Sequence, residues 1–175
     1  DVKVLKKDAP LLEGEILDAA VLRMTELEKF LAEEKQKAKE QGVLFSVHLK
    51  ATMMKVSDPV LFGAVVRTFF AEVFEKYADV FAELGVDPNN GLGDLYKRIA
   101  LHKKESEIKN AIQNVLDNGP DLAMVDSDKG ITNLNVPSDV IIDASMPAMI
   151  RNSGKMWNKE GKLQETVAII PDRSY

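Results

Sequence analysis

The hydrophobic repeat of this chain changes from about 3.6 residues to two across a single glycine, Gly42. Before it, Leu17, Val21, Met24, Leu27 and Leu31 share one helical stripe broken only by Glu28, which predicts a helix over 15–41. Residues 32–41 are charged on nearly all sides, as in a solvated helix end supported by Glu–Lys pairs. Gly42 stands where a helix-terminating glycine is expected. After it, Val43, Phe45, Val47 and Leu49 alternate with Leu44, Ser46, His48 and Lys50. This is the pattern of a strand over 43–50 with one apolar and one polar face.

The same mixture continues along the chain. Asp58-Pro59 suits the N-cap and first position of a helix, because proline lacks the N–H that would be unpaired there. Apolar residues from Leu61 to Leu84 then predict a long helix over 58–84, buried on more than one side. Asp87-Pro88-Asn89-Asn90-Gly91 is a dense turn. Helices over 92–101 and 105–117 follow, then a short buried strand over 122–125. Ser138 is placed to cap a helix over 138–152, which Pro147 should kink or split. A strand over 166–170 comes last. Alternation of helix and strand gives the α/β class, and 175 residues make one domain or a piece of one.

Composition excludes several functions. There is no cysteine, hence no disulfide scaffold, Cys-ligated zinc, iron–sulfur cluster or thiol nucleophile. Two histidines leave no room for a His-rich metal site. Lys plus Arg is 23 against 28 for Asp plus Glu, a net charge of −5, which argues against a nucleic-acid-binding module. No apolar run approaches the ~20 residues that span a bilayer. Residues 60–74 come nearest, and Gly63, Arg67, Thr68 and Glu72 interrupt them.

Among chemistry-bearing residues, Lys50 lies at a strand end beside His48, where α/β folds gather functional groups. Taken alone it reads as a surface lysine, as does Lys55, and His48 reads as a structural histidine. Asp139 and Asp143, four residues apart on a predicted helix, would share a face and could hold Mg²⁺ or Mn²⁺ through oxygen. The helix dipole equally explains an acid in a first turn. Asp126 and Asp128 read as an Asx-rich turn, since Pro137 stands where a calcium loop needs its glutamate. Gly91-Leu92-Gly93-Asp94 lacks a complete phosphate-loop pattern and reads as a turn feeding a helix. The Met and Phe residues of 53–81 read as core.

Three stretches carry a family resemblance. They are His48-Leu49-Lys50-Ala51-Thr52-Met53-Met54-Lys55-Val56-Ser57-Asp58-Pro59, then Val86-Asp87-Pro88-Asn89-Asn90-Gly91-Leu92-Gly93-Asp94, and a long third run. The third includes Ser127-Asp128-Lys129-Gly130-Ile131-Thr132-Asn133 and Val136-Pro137-Ser138-Asp139-Val140-Ile141-Ile142-Asp143-Ala144-Ser145-Met146-Pro147. Together they resemble the monomeric class of bacterial NADP-dependent isocitrate dehydrogenase, over nearly all of 43–175. The resemblance implies part of the large domain of an isocitrate/isopropylmalate dehydrogenase-like fold, acting in the cytoplasm in the tricarboxylic acid cycle and glyoxylate bypass. It implies oxidative decarboxylation of isocitrate to 2-oxoglutarate and CO₂ with NADP and Mg²⁺ or Mn²⁺. By its motifs Lys50 is the proton-transfer lysine, with Lys55 the second lysine, and Asp143 is a metal ligand with Asp139 the first aspartate of its motif.

Family members are several-fold longer. The resemblance therefore implies an internal segment, which also accounts for a start at Asp1 without Met. The remaining metal aspartates, the substrate motif and most of the NADP site are expected in the rest of the same polypeptide, which is expected to be monomeric. The segment alone is expected to be inert. Two alternatives stand beside this reading: a non-catalytic α/β interaction domain that binds partners through its charged helix, and a related β-decarboxylating dehydrogenase with another 2-hydroxy acid substrate.

Overall fold

The computed structural model describes residues 2–4, 7–17, 21–50 and 58–171. In chain order the elements are α1 (Met24–Gln41), β1 (Leu44–Val47), α2 (Asp58–Phe69), α3 (Ala71–Lys76), α4 (Ala78–Leu84), α5 (Gly91–Ile99), α6 (Glu105–Asn118), β2 (Met124–Asp126), β3 (Ile131–Thr132), α7 (Ile142–Arg151), β4 (Lys155–Trp157) and β5 (Leu163–Ile169). Single 3₁₀ turns at Pro88–Asn90 and Pro137–Val140 lead into α5 and α7. The fold is α/β.

The sheet has the order β1-β5-β4, with β1 parallel to β5 and β4 antiparallel to it. On its other edge Phe45 forms a parallel bridge with Leu122, so β1 is paired on both sides and all four of its residues are buried. Strand parity then divides the interior. Phe45, Val47, Leu49 and Ile169 face the main core with Leu31 and Ala38 of α1 and Leu61, Phe62, Val65, Val66 and Phe69 of α2. Leu44 and Ala168 face the other way, onto Met146 and Met149 of α7 and Met156 of β4. The layers are thus helices, sheet and a single helix. Each fully buried Phe or Leu contributes about 1.5–3 kcal/mol to holding them together.

Several element boundaries differ from those expected. The helix expected over 15–41 begins at Met24; residues 15–17 and 21–23 are not helical, and 18–20 lie outside the described residues. Leu17 and Val21 remain largely exposed, so further turns would bury too little to offset the cost of ordering them. At the other end of α1, Lys35 is not merely solvated. Its Nζ donates 2.7 Å to the carbonyl of Phe69, the last residue of α2, and lies 4.7 Å from that ring's centre. Burial lowers its pKa. The helix expected over 58–84 is three helices, turning at Phe70 and Tyr77. Those turns let Phe69, Phe70, Tyr77 and Phe81 all reach the core, which one straight helix cannot do along a single face.

The strand expected over 43–50 is continuous only from Leu44 to Val47, with Leu49 in a separate bridge to Ile141. That bridge also reshapes the helix expected over 138–152. The N–H of Leu49 donates to Val140 O and that of Ile142 to Leu49 O, holding Ile141 extended between the 3₁₀ turn and α7. Ser138 makes no cap, and α7 passes through Pro147 unsplit. The strand expected over 122–125 runs Met124–Asp126, and that expected over 166–170 runs Leu163–Ile169. The helices expected over 92–101 and 105–117 run Gly91–Ile99 and Glu105–Asn118.

Candidate functional site

Lys50 follows β1 where the backbone leaves the sheet. Its N–H donates 2.9 Å to Oδ2 of Asp58, the fully buried first residue of α2. Its Nζ is ion-paired with Oδ2 of Asp143. Asp143 is the second residue of α7, in the first turn, where unpaired N–H groups and the helix dipole favour a carboxylate. The Leu49–Ile141 bridge brings the end of β1 to the start of this helix, so that backbone contact sets the meeting of two side chains 93 residues apart. Lys50 is about one-quarter exposed and Asp143 about one-half, so the pair stands at the protein surface. Lys55 lies outside the described residues.

His48 lies on the polar side of the strand, inside the protein. The face it shares with Ser46 is covered by α7, and its ring is fully buried. Nε2 lies 3.0 Å from Ser46 Oγ and Nδ1 lies 2.7 Å from Ser145 Oγ of α7. Thr166 of β5 donates 2.9 Å to Ser46, which extends the chain of polar groups. Burial lowers the imidazole pKa from 6.5 to about 4, so the ring is neutral at pH 7. The sequence reading missed Ser46, Ser145 and the partnership of Asp58 with Lys50. The first shares strand parity with His48 and the second lies two residues after Asp143, but neither signal says which helix covers the strand.

Asp139 and Asp143 do not share one helical face, because extended Ile141 separates the 3₁₀ turn from α7. Asp139, with Ser145 and Trp157, lines a shallow pocket of about 250 Å³ that Asp143 does not line. Its buried Oδ2 has no hydrogen-bond partner, and burial pushes its carboxyl pKa up. Among the described residues no group of three or more His, Asp or Glu side chains could hold a metal ion. The exposed carboxylate of Asp143 is a hard donor of the kind Mg²⁺ and Mn²⁺ prefer, but it supplies only part of an oxygen shell, and Asp139 stands at a different pocket.

The other candidates stay structural. Asp126 pairs with Lys129 at 2.9 Å and accepts from its N–H, forming an Asx-type turn. The amides of Leu92 and Gly93 at the start of α5 donate to Leu134 O and Asn135 O, so that glycine-containing turn is no phosphate cradle. No described helix is long and apolar enough to cross a membrane.

An amine and a carboxylate in contact at a surface, one beyond the end of a buried strand and the other in the first turn of the helix bridged to it, can move a proton and offer oxygen to a cation. Comparison with known proteins agrees with the sequence resemblance. A family model described as monomeric isocitrate dehydrogenase matches residues 1–175. An NADP isocitrate dehydrogenase of Azotobacter vinelandii is 57% identical over 174 residues, covering 98% of this chain and 24% of the relative. One of Corynebacterium efficiens is 54% identical over 172 residues, covering 98% and 24%. NADP isocitrate dehydrogenase 2 of Colwellia maris is 56% identical over 177 residues, covering 100% and 24%. The chain spans about a quarter of the length of these relatives.

Proposed function

The chain belongs to the monomeric isocitrate dehydrogenase family, and from that membership we propose that it forms one wall of the active site of an enzyme that oxidises and decarboxylates isocitrate with NADP. When bound, Mg²⁺ or Mn²⁺ acidifies the substrate hydroxyl and holds the negative charge that develops on oxygen. Lys50 relays the hydroxyl proton at Nζ, giving up one of its own ammonium protons and taking the substrate's in its place. Asp143 offers a carboxylate oxygen to the cation. Asp58 fixes the backbone of Lys50, so the amine swings from a rigid point. Most of the NADP site, the substrate-carboxylate contacts and the remaining metal ligands come from the rest of the polypeptide, and the 175 residues alone are inert. The whole enzyme is a cytoplasmic monomer that serves the tricarboxylic acid cycle and glyoxylate bypass.

The observation that carries this reading is the contact between Lys50 and Asp143, the two side chains that the family motifs single out. The test is Asp143→Asn in the full-length enzyme. The expected result is at least a tenfold rise in the Mn²⁺ concentration needed for isocitrate binding, measured by equilibrium titration. An unchanged requirement would refute the assignment.

A further inference from the structure

The face of the sheet turned towards α7 is apolar at Leu44, Ala168 and Ile170, yet it carries a hydrogen-bonded run of Thr166, Ser46, His48 and Ser145, in which Ser46 and His48 are fully buried and the two ends half-buried. Buried polar groups cost stability unless each finds a partner, and apolar packing of the same volume often serves a core equally well. The run spans two strands and a helix, and its last member, Ser145, lies two residues beyond Asp143 on the same first turns of α7.

We propose that His48 is a positioning residue: its Nδ1 contact with Ser145 fixes the rotation of α7 about its axis and so aims the Asp143 carboxylate. The inference rests on the site reading above. The backbone bridge between Leu49 and Ile141 fixes where α7 begins, and Met146 and Met149 pack the helix onto the sheet, but apolar packing is non-directional and sets the rotation of a helix only loosely. The His48–Ser145 contact adds a directional attachment, one turn beyond the bridge. Ser145 and Asp143 are separated by about 200° around the helix, so holding the first against the sheet points the second outward. Side-chain tips lie about 5–6 Å from a helix axis, so a roll of about 10° carries a carboxylate about 1 Å. Displacements of that size matter for a cation or proton contact. Partners that orient a ligand in this way typically govern affinity by 10–100-fold.

The two ring nitrogens give a test that mere packing would not pass. In His48→Asn the amide overlies Nδ1 and can keep Ser145. In His48→Gln it overlies Nε2 and can keep only Ser46. In the full-length enzyme the Mn²⁺ dissociation constant should rise at least tenfold in His48→Gln and Ser145→Ala and stay within about threefold in His48→Asn. Thermal midpoints are recorded alongside. If the three variants move together, all weakened or all unchanged, the proposal is overturned. Should a His48 variant fail to fold, Ser145→Ala against Ser145→Thr, which keeps the hydroxyl, decides by the same criterion. Asp143→Asn is the control. If it weakens Mn²⁺ binding while the others move together, only the positioning claim fails. If it leaves binding unchanged, the site reading fails and this inference with it.

Discussion

Replacing Lys50 by methionine in the full-length enzyme should move turnover and cation binding in opposite directions. Methionine keeps the unbranched stem, so the apolar contacts of the lysine chain survive while the amine is lost. In the structure that amine is paired with the same carboxylate that is proposed to take the cation. With side chains 24% and 55% exposed, the pair is a partly solvated one, worth about 0.5–1 kcal/mol. Removing the amine releases that energy to a competing cation, and at 1.36 kcal/mol per factor of ten the Mn²⁺ affinity should rise about two- to fivefold. Turnover should fall about 10²–10⁴-fold, the usual contribution of a positioned proton-transfer group, which is about 3–5 kcal/mol on the barrier. Isocitrate-dependent formation of NADPH gives kcat, and titration with Mn²⁺ gives the dissociation constant. Turnover within tenfold of the unmodified enzyme, or Mn²⁺ binding weakened more than tenfold, would refute the reasoning. The second outcome would mean that Lys50 serves to hold Asp143 rather than to move a proton.

Two further outcomes follow from the packing. His48 is held neutral, with a folded pKa near 4 against an ordinary 6.5, so on acidification the unfolded chain takes up the proton first. Its contribution is present above pH 6.5 and is lost as pH falls towards 4, by about 3 kcal/mol relative to the untitrating variant His48→Asn. Urea-unfolding free energies of the two that keep a constant difference from pH 7 to 4 would contradict this. Gly91 has φ 79° and ψ −175°, a region open essentially to glycine, and a Cβ there would lie 2.3 Å from the carbonyl oxygen of Asn135. Gly91→Ala should therefore cost at least about 3 kcal/mol by the same assay, and a loss under 1 kcal/mol would contradict the packing described.

Local periodicity carried the sequence reading as far as local forces act. Alternation along 43–50 separated Phe45 and Val47 from Ser46 and His48, and those two groups do face opposite layers. What alternation cannot state is that a helix nearly one hundred residues later covers the polar side and makes it interior. The same distance effect moved the start of α7, where a backbone bridge from Leu49 overrode the capping signal of Ser138. β3 and β4 have two and three residues, too few to display a repeat, and the pairing that defines them comes from neighbouring strands. Lys50 and Asp143 had only weak meaning as isolated residues. Family motifs picked them out, and their contact depends on the join of β1 to α7 that neither stretch encodes by itself.

The most direct test is a crystal structure of the full-length enzyme with isocitrate and Ca²⁺, an inert oxygen-seeking cation in place of Mg²⁺ or Mn²⁺. The account predicts an oxygen of Asp143 on the cation and Nζ of Lys50 within hydrogen-bond distance of the substrate hydroxyl. A ligand bound elsewhere, with Lys50 and Asp143 still paired to each other and touching neither substrate nor cation, would contradict it.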